Sequence, residues 1–340
     1  LSLIKGLSIP GYAGLQFGLP ASGLLKKLWQ TEQPDIIYVA TEGPLGWSAV
    51  KTANRLNIPV ISGFHTNFHR YSKHYNVGWL EKLIFGYLKR LHNNTLCTLV
   101  PSPELTEQLN QQGIQNTELF SRGVDTVACH PQHRSDALRH EWQMNPDACV
   151  ALYVGRIAAE KNIEQVIACY QQMKQLQPAL TLVMVGDGPL RNKLERQHPD
   201  IVFTGPKTGL ELSRHYASAD CFLFASESET FGNVIIEAMS SGLAVVAYDY
   251  AAARMHINHG INGLAVSLGD NEAFTEAACT LMRNHTLIRD IGQQARLSAE
   301  QIDWKHVIDN FEKVMVKYAK PELCSDNPSE KQPVSADGPA

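Results

Sequence analysis

Residues 221–242 read Cys-Phe-Leu-Phe-Ala-Ser-Glu-Ser-Glu-Thr-Phe-Gly-Asn-Val-Ile-Ile-Glu-Ala-Met-Ser-Ser-Gly, and the fold is decided here. Cys221–Ala225 is a short apolar run that suits a buried strand. The stretch after Gly232 is apolar and Ala-rich, ends at Gly242, and suits a short helix. A strand entering a helix through a glycine turn gathers free backbone N–H groups and the positive end of the helix dipole at one point, which attracts anions. Glu229 and Glu237 flank that point, eight positions apart. Such a place can hold an anion and also grip several hydroxyl groups, and a sugar nucleotide offers both. Eight helical residues span about 12 Å, comparable to the reach from a hexose to the ribose of a nucleoside diphosphate sugar. The plain alternative is a capping carboxylate and a solvated helix residue. Glu227 forms no such pair, because Ile235 lies eight residues on.

The same rhythm runs outward in both directions. Short β-branched runs occur at 35–40, 58–64, 96–100, 149–154, 180–185, 201–204, 220–225 and 244–249. Helix-like segments at 45–57, 79–93, 104–112, 163–177 and 211–218 lie between them. This alternation predicts an α/β chain of parallel sheets with helices on both faces. Apolar periodicity lapses over 125–146, where His, Pro and Arg crowd together, and the domain boundary is expected there. The expected organisation is a first Rossmann-like domain over 1–140, a second over 141–300, a helix over 301–319 returning to the first, and a disordered tail over 320–340 rich in Pro, Ser, Glu and Asp. The Gly- and Pro-rich stretch 1–20 reads as a loop with no strand before it, so the first domain is expected to lack its opening elements.

Bulk composition narrows the class. The 340 residues are 44% hydrophobic and 19% charged, enough core material for two ordinary domains. A net charge of −4 argues against general nucleic-acid binding. No apolar run approaches the eighteen or so residues of a membrane span. The seven cysteines are scattered and never form Cys-x-x-Cys, which fits buried, reduced thiols and a cytoplasmic location.

Other motifs sit at expected strand ends. Gly155-Arg156-Ile-Ala-Ala-Glu-Lys161-Asn162 follows one strand and precedes a helix, so Arg156 and Lys161 project where open α/β sheets bind ligands. Two cations five residues apart suit a diphosphate, Arg by its fork and Lys as a point charge. The alternative is a solvated loop in which Glu160 pairs Lys161. Val185-Gly186-Asp-Gly188-Pro189 is a second such turn, but Arg191 stands where a dinucleotide fingerprint has its third glycine. Tight turning into a helix opened by Pro189 also explains both glycines. Lys207, in Thr204-Gly-Pro-Lys207, could reach a base or phosphate but reads as a surface lysine. In the first half, Gly63-Phe64-His65-Thr66 places a histidine at a strand end facing the same cleft. His69 and His74 follow, without the acidic or Cys partner that a metal site needs, so no metal is expected. The segment 79–92 is amphipathic with Lys82, Lys89 and Arg90 on its flanks. It reads as a surface helix packing on the sheet, with a membrane-docking face, helped by Lys26-Lys27 beside Trp29, as the alternative.

Gly155-Arg-x4-Lys161-Asn, Gly186-Asp-Gly-Pro189, Glu229-Thr-Phe-Gly-x4-Glu237-Ala-Met and Asn258-His-Gly-x-Asn-Gly263, in this order, resemble glycosyltransferase family 4. Phe64-His65-Thr66, Arg122-Gly123-Val124-Asp125 and Asp249-Tyr-Ala-Ala-Ala-Arg254 resemble its bacterial branch of GDP-mannose-dependent α-mannosyltransferases and related lipid glycosyltransferases. The resemblance covers about 35–318. It implies a GT-B fold, two Rossmann-like domains closing over a sugar nucleotide, and a retaining, metal-independent transfer of a hexose to a lipid or saccharide acceptor. Mannose from GDP-mannose is the implied donor, with peripheral contact with the cytoplasmic membrane face as an option. A catalytically impaired sugar-nucleotide-binding fragment, or another GT-B enzyme such as an epimerase or phosphorylase, remains the alternative. By the same resemblance Gly155, Arg156, Lys161 and Gly186 lie along the donor, with Arg156 and Lys161 on its diphosphate. Glu229 would contact the hexose, Glu237 the ribose, and the amides of Phe231, Gly232 and Asn233 the sugar and phosphate. His65 would lie near the reacting centre. The family's glycine-rich loop after the first strand would fall among the opening elements that the first domain is expected to lack.

Overall fold

The computed structural model describes residues 2–8, 16–64, 78–144, 148–227, 229 and 231–319, with the side chains of 78–81 left aside. Its first sheet has four parallel strands in sequential order: β3 (Ile37–Val39), β4 (Val60–Gly63), β5 (Thr98–Val100) and β6 (Thr117–Leu119). The second has six parallel strands: β7 (Val150–Val154), β8 (Thr181–Val185), β9 (Val202–Gly205), β10 (Cys221–Phe224), β11 (Ala244–Tyr248) and β12 (Leu264–Val266). Their spatial order is β12-β11-β10-β7-β8-β9. β7, β10 and β11 are buried at every position, as strands covered on both faces must be.

The order of the second sheet matters for function. The chain lays β7, β8 and β9 in one direction, then crosses back to set β10 on the other side of β7. Cys221 pairs with Ala151 and Phe222 with Leu152, so the carboxyl ends of β7 and β10 are neighbours. Reversal of this kind leaves a crevice at the strand ends, where open α/β sheets take their ligands.

Two expectations are corrected. The stretch 1–20 is not wholly loop: β1 (Gly6–Ser8) and β2 (Gln16–Gly18) pair antiparallel. Three-residue strands are too short to show a period, and glycine at 18 lets the hairpin lie on Leu45, 2.7 Å from where a Cβ would stand. The lapse over 125–146 also contains a helix, Asp136–Glu141, capped by Ser135 accepting from the Leu138 amide. Apolar periodicity failed there because the residue that this helix buries is Arg139, 2% exposed, bonded to Ser218 O at 2.7 Å and to Asp220 at 3.3 Å. The segment 320–340 lies outside the described residues.

One continuous apolar core fills the second domain, from Trp142 and Tyr153 through Phe222 and Phe231 to Ile291. The first sheet has three smaller clusters. One of them, around Ile61, Cys97 and Leu99, is covered by Phe311, Val314, Met315 and Tyr318 from the helix Trp304–Ala319. That helix crosses back beside Arg122–Asp125. Val124 N donates to Ile302 O at 3.1 Å, Trp304 N returns a bond to Val124 O, and Thr126 Oγ1 donates to Asp303 at 2.6 Å. A Cβ on Gly123 would stand 2.8 Å from Val307 and 3.1 Å from Ile302 O, so a side chain there would hold the two passes apart.

Candidate functional site

Lys161 and Glu229 come from opposite banks of the β7/β10 crevice and form an ion pair. Both are largely sheltered, with side chains 19% and 15% exposed. Lys161 closes a 3-10 turn over Ala159–Lys161, after which Asn162 takes a left-handed conformation (φ 51°) and the helix Ile163–Leu176 begins. On the other bank, Glu229 follows β10 by five residues and precedes the helix Asn233–Ser240. Ser226 Oγ donates to Glu229 Oε1 at 2.7 Å, and Tyr250 OH donates to the Glu229 carbonyl at 3.1 Å. Two neighbouring elements therefore hold this carboxylate and its backbone in place.

Arg156 stands on the same loop, 59% exposed, with Glu160 at 3.0 Å. Glu160 thus pairs with Arg156 rather than with Lys161, because the 3-10 turn directs Lys161 across the crevice. Tyr153 OH donates to the Arg156 carbonyl at 2.9 Å, fixing the loop from below. Glu227 accepts from Asn162 Nδ2 at 3.5 Å, a second link between the banks.

The glycines at 155 and 186 have a packing reason. A Cβ on Gly155 (φ 153°) would stand 2.9 Å from Tyr153 OH, and a Cβ on Gly186 (φ 145°) would stand 1.9 Å from Gly155 O. Gly188 similarly meets Ile157 O at 2.3 Å. Close contact between the loops after β7 and β8 thus requires glycine with no ligand present. Arg191 lies between Asp187 at 4.0 Å and Glu195 at 3.7 Å, and Lys207 lies 3.8 Å from Glu211 on the surface.

Gly232 takes φ 93° at the mouth of the helix Asn233–Ser240, so the turn needs glycine and aims the helix N-terminus at the crevice. Phe231 is buried (1% exposed), and its ring meets the His256 ring edge-on at 6.0 Å. Phe231 O accepts from Ala252 N at 2.8 Å. Asn233 Oδ1 is buried and meets no donor among the described residues. Glu237 sits one turn into the helix, and its carboxylate accepts from Tyr216 OH at 2.8 Å. Burial raises its pKa, partly offset by that hydroxyl. His256, also sheltered, is pushed down to about 4 by burial and stays neutral beneath Phe231.

Ser226, Tyr250, Tyr153, Tyr216 and His256 escaped the sequence reading. Tyr250, Tyr216 and His256 reach the site from other elements and from beneath it, so no spacing along the chain announces them, whereas Ser226 and Tyr153 stand three residues before the groups they bind, Glu229 and Arg156. Asn258–Gly263 serves as scaffold. Asn262, 2% exposed, accepts from Asn258 N at 2.6 Å and donates to His256 O at 3.0 Å and Ser298 Oγ at 2.8 Å. His65, His69 and His74 lie outside the described residues. Among the described residues no group of three His, Cys, Asp or Glu side chains could hold a metal. No described helix is long and apolar enough to cross a membrane.

Residues 3–128 match the family model Glycosyltransferase Family 4, and 148–284 match Glycosyl transferases group 1. The chain is 31% identical to a GDP-mannose-dependent alpha-mannosyltransferase of Mycolicibacterium smegmatis, over 89% of this chain and 78% of that protein. The chain belongs to glycosyltransferase family 4. The chain is also similar to a GDP-mannose-dependent alpha-mannosyltransferase of Corynebacterium glutamicum (34% identity, 81% of this chain and 65% of that one) and to the sulfoquinovosyl transferase SQD2 of Arabidopsis thaliana (33%, 80% and 54%). The chain thus spans about half to two thirds of the length of these two. As a family 4 chain it has the GT-B fold. Sucrose-phosphate synthase of Thermosynechococcus elongatus superposes with a TM-score of 0.73 at 19% identity, covering 87% of this chain and 76% of that one. Anabaena HepE in complex with UDP and glucose superposes at 0.70 and 20% identity, covering 87% and 82%.

Proposed function

We propose that this chain is a retaining hexosyltransferase that binds a nucleoside diphosphate sugar, GDP-mannose, in the β7/β10 crevice and passes the sugar to a lipid or saccharide acceptor. The observation that carries this reading is the Lys161–Glu229 pair beside the Gly232 turn: a cation, a carboxylate and a helix N-terminus converge at the topological switch point. With the donor bound, Lys161 and Arg156 turn to the diphosphate. Glu229, still held by Ser226, accepts from hexose hydroxyls. The amides of Phe231, Gly232 and Asn233 meet the sugar and phosphate. Gly155 and Gly186 let the backbone come close, and Glu237 contacts the ribose from one turn down the helix.

Breaking the glycosidic bond puts negative charge on the departing phosphate. Two cations already brought onto the diphosphate when the donor binds, together with a helix terminus aimed at that charge, lower the barrier as it develops. The departing phosphate oxygen takes the acceptor proton on the same face, which preserves configuration. A role for His65 at this reacting centre rests on the family resemblance of Phe64-His65-Thr66 alone. No metal enters the scheme. The GDP-mannose assignment leans on the mannosyltransferases above; a lipid acceptor and a peripheral membrane contact lean on relatives such as the alpha-monoglucosyldiacylglycerol synthase of Streptococcus pneumoniae (28% identity).

The test is a panel of nucleotide sugars offered to the full chain, with donor hydrolysis as the readout where no acceptor is known. Lys161→Ala and Glu229→Ala should each lower kcat/KM by about 100-fold or more, the range for removing a group that stabilises developing charge. Unimpaired turnover in both variants would sink the reading. Donor binding without any product would leave a sugar-nucleotide-binding protein instead.

A further inference from the structure

The second domain carries a cavity at the edge of its sheet opposite the donor crevice. It is walled by Cys149, Asp220 and Gly242, which precede β7, β10 and β11, so it opens where these strands begin. A five-residue strand at about 3.3 Å per residue separates the two edges by roughly 15 Å. The cavity has a volume of about 810 Å³, within the range of small-molecule sites.

Its walls are strongly asymmetric in charge. Four arginines, 134, 139, 289 and 296, and His285 face it against a single carboxylate, Asp220. Arg134 and Arg139 share that aspartate at 3.0 and 3.3 Å. Arg296 binds the carbonyls of Thr126, Cys129 and Ser240, each within 3.0 Å, and pairs with Glu300 at 3.0 Å, so its charge is already matched. Arg289 and His285 are exposed on the first turns of the helix His285–Glu300 and make no ion pair among the described residues. The positive end of this sixteen-residue helix lies at the same wall, with Asn284 Oδ1 capping it by accepting from Leu287 N at 3.2 Å. Ser241, 3% exposed and also in the lining, has a hydroxyl that meets no hydrogen-bond partner among the described residues.

The floor is rigid. The helix His285–Glu300 crosses the turn after Asn233–Ser240 so closely that a Cβ on Gly292 would stand 2.2 Å from Gly242 O. Gly242 itself takes φ 79°. Pro131, Ala219 and Ile288 add apolar surface, so the cavity accommodates an organic body as well as a charge.

We propose that this cavity is a second ligand site, for a small phosphorylated organic anion, separate from the donor crevice. Arg289, His285 and the helix N-terminus take the phosphate, and the apolar wall takes the carbon skeleton.

The experiment is calorimetric titration of the full chain with fructose 1,6-bisphosphate and, as a charge-only control, inorganic pyrophosphate. It is run on the wild type, on Lys161→Ala, and on the double variant Arg289→Glu/His285→Glu. Both exposed positions accept glutamate in the first turns of a helix, so the fold should persist, which a thermal melt confirms. The bisphosphate should bind Lys161→Ala as it binds the wild type and bind the double variant at least tenfold more weakly. GDP-mannose should bind the double variant unchanged, so failure here is distinguishable from failure of the donor assignment. Equal bisphosphate affinity in wild type and double variant overturns the proposal. So does loss of bisphosphate binding in Lys161→Ala, which would place it in the donor crevice, or pyrophosphate bound by Lys161→Ala as tightly as the bisphosphate, which would leave only diffuse charge attraction.

Discussion

The two parallel sheets differ in one respect that explains most of the rest. The first runs β3-β4-β5-β6 in order, whereas the second reverses beside β7. A sheet that grows in one direction sends its crossovers the same way, and its described strands leave no switch-point crevice. The reversing sheet opens one, and the cation and carboxylate motifs converge there. Their interiors differ as well. The second sheet sits in one apolar core. In the first, a buried polar knot ties β4 to the helix Gly78–His92, with Ser62 Oγ 2.9 Å from His92 Nδ1 and 3.0 Å from Thr95 Oγ1. Its far face is closed by a helix from the chain's other end. The second domain is thus the self-contained partner, and the first depends on contacts distant in sequence.

Acid offers the largest test of that contrast. His256 is held at about 4 against an ordinary 6.5. Its folded form binds fewer protons in this window, so its stability is fully present above pH 6.5 and is lost as pH falls towards 4. That separation corresponds to on the order of 3 kcal/mol. Melting curves from pH 7 to 4 should therefore show the second domain weakening, and His256→Leu should flatten the slope. An unchanged slope would remove His256 as the acid-sensitive point of the self-contained domain.

Next in size is Phe311→Ala. Its ring lies 5.0 Å from Tyr38 and 5.5 Å from Phe120, and truncation at this half-buried site should cost about 2 kcal/mol. Hydrogen exchange should quicken in β3–β6 and stay unchanged in β7–β12. Equal acceleration in both sheets would mean that they unfold as one unit.

The smallest effect belongs to an ion pair between the domains. Arg254, between β11 and β12, lies 3.2 Å from Glu104 in the first domain and 3.4 Å from Asp249 in its own. Such a partly exposed pair is worth about 0–1 kcal/mol. A double-mutant cycle of Arg254→Ala with Glu104→Ala should return a coupling in that range; about 3 kcal/mol or more would mean that the pair couples the domains far more strongly than an exposed ion pair does.

Much of the site was legible beforehand because its motifs are local. A strand, a glycine turn and a helix start can be read within twenty residues, and Lys161 and Glu229 each stand in such a unit. Gly186 was legible as a glycine but not for its reason, since the Gly155 carbonyl that demands it lies thirty-one residues away. The helix Asp136–Glu141 was illegible because an arginine bound to Asp220 takes the buried place that an apolar residue usually fills.

By itself, then, the sequence determined the alternation of strands and helices, the turns that expose amides, and the residues able to carry charge at strand ends. Those depend on backbone propensity and patterning within one element. Only the tertiary structure decided that Lys161 meets Glu229 while Glu160 turns to Arg156, that Tyr216 holds Glu237, and that arginines crowd the opposite edge of the sheet. These outcomes depend on which strands become neighbours, and a reversal in strand order is a property of the whole domain that no local stretch encodes.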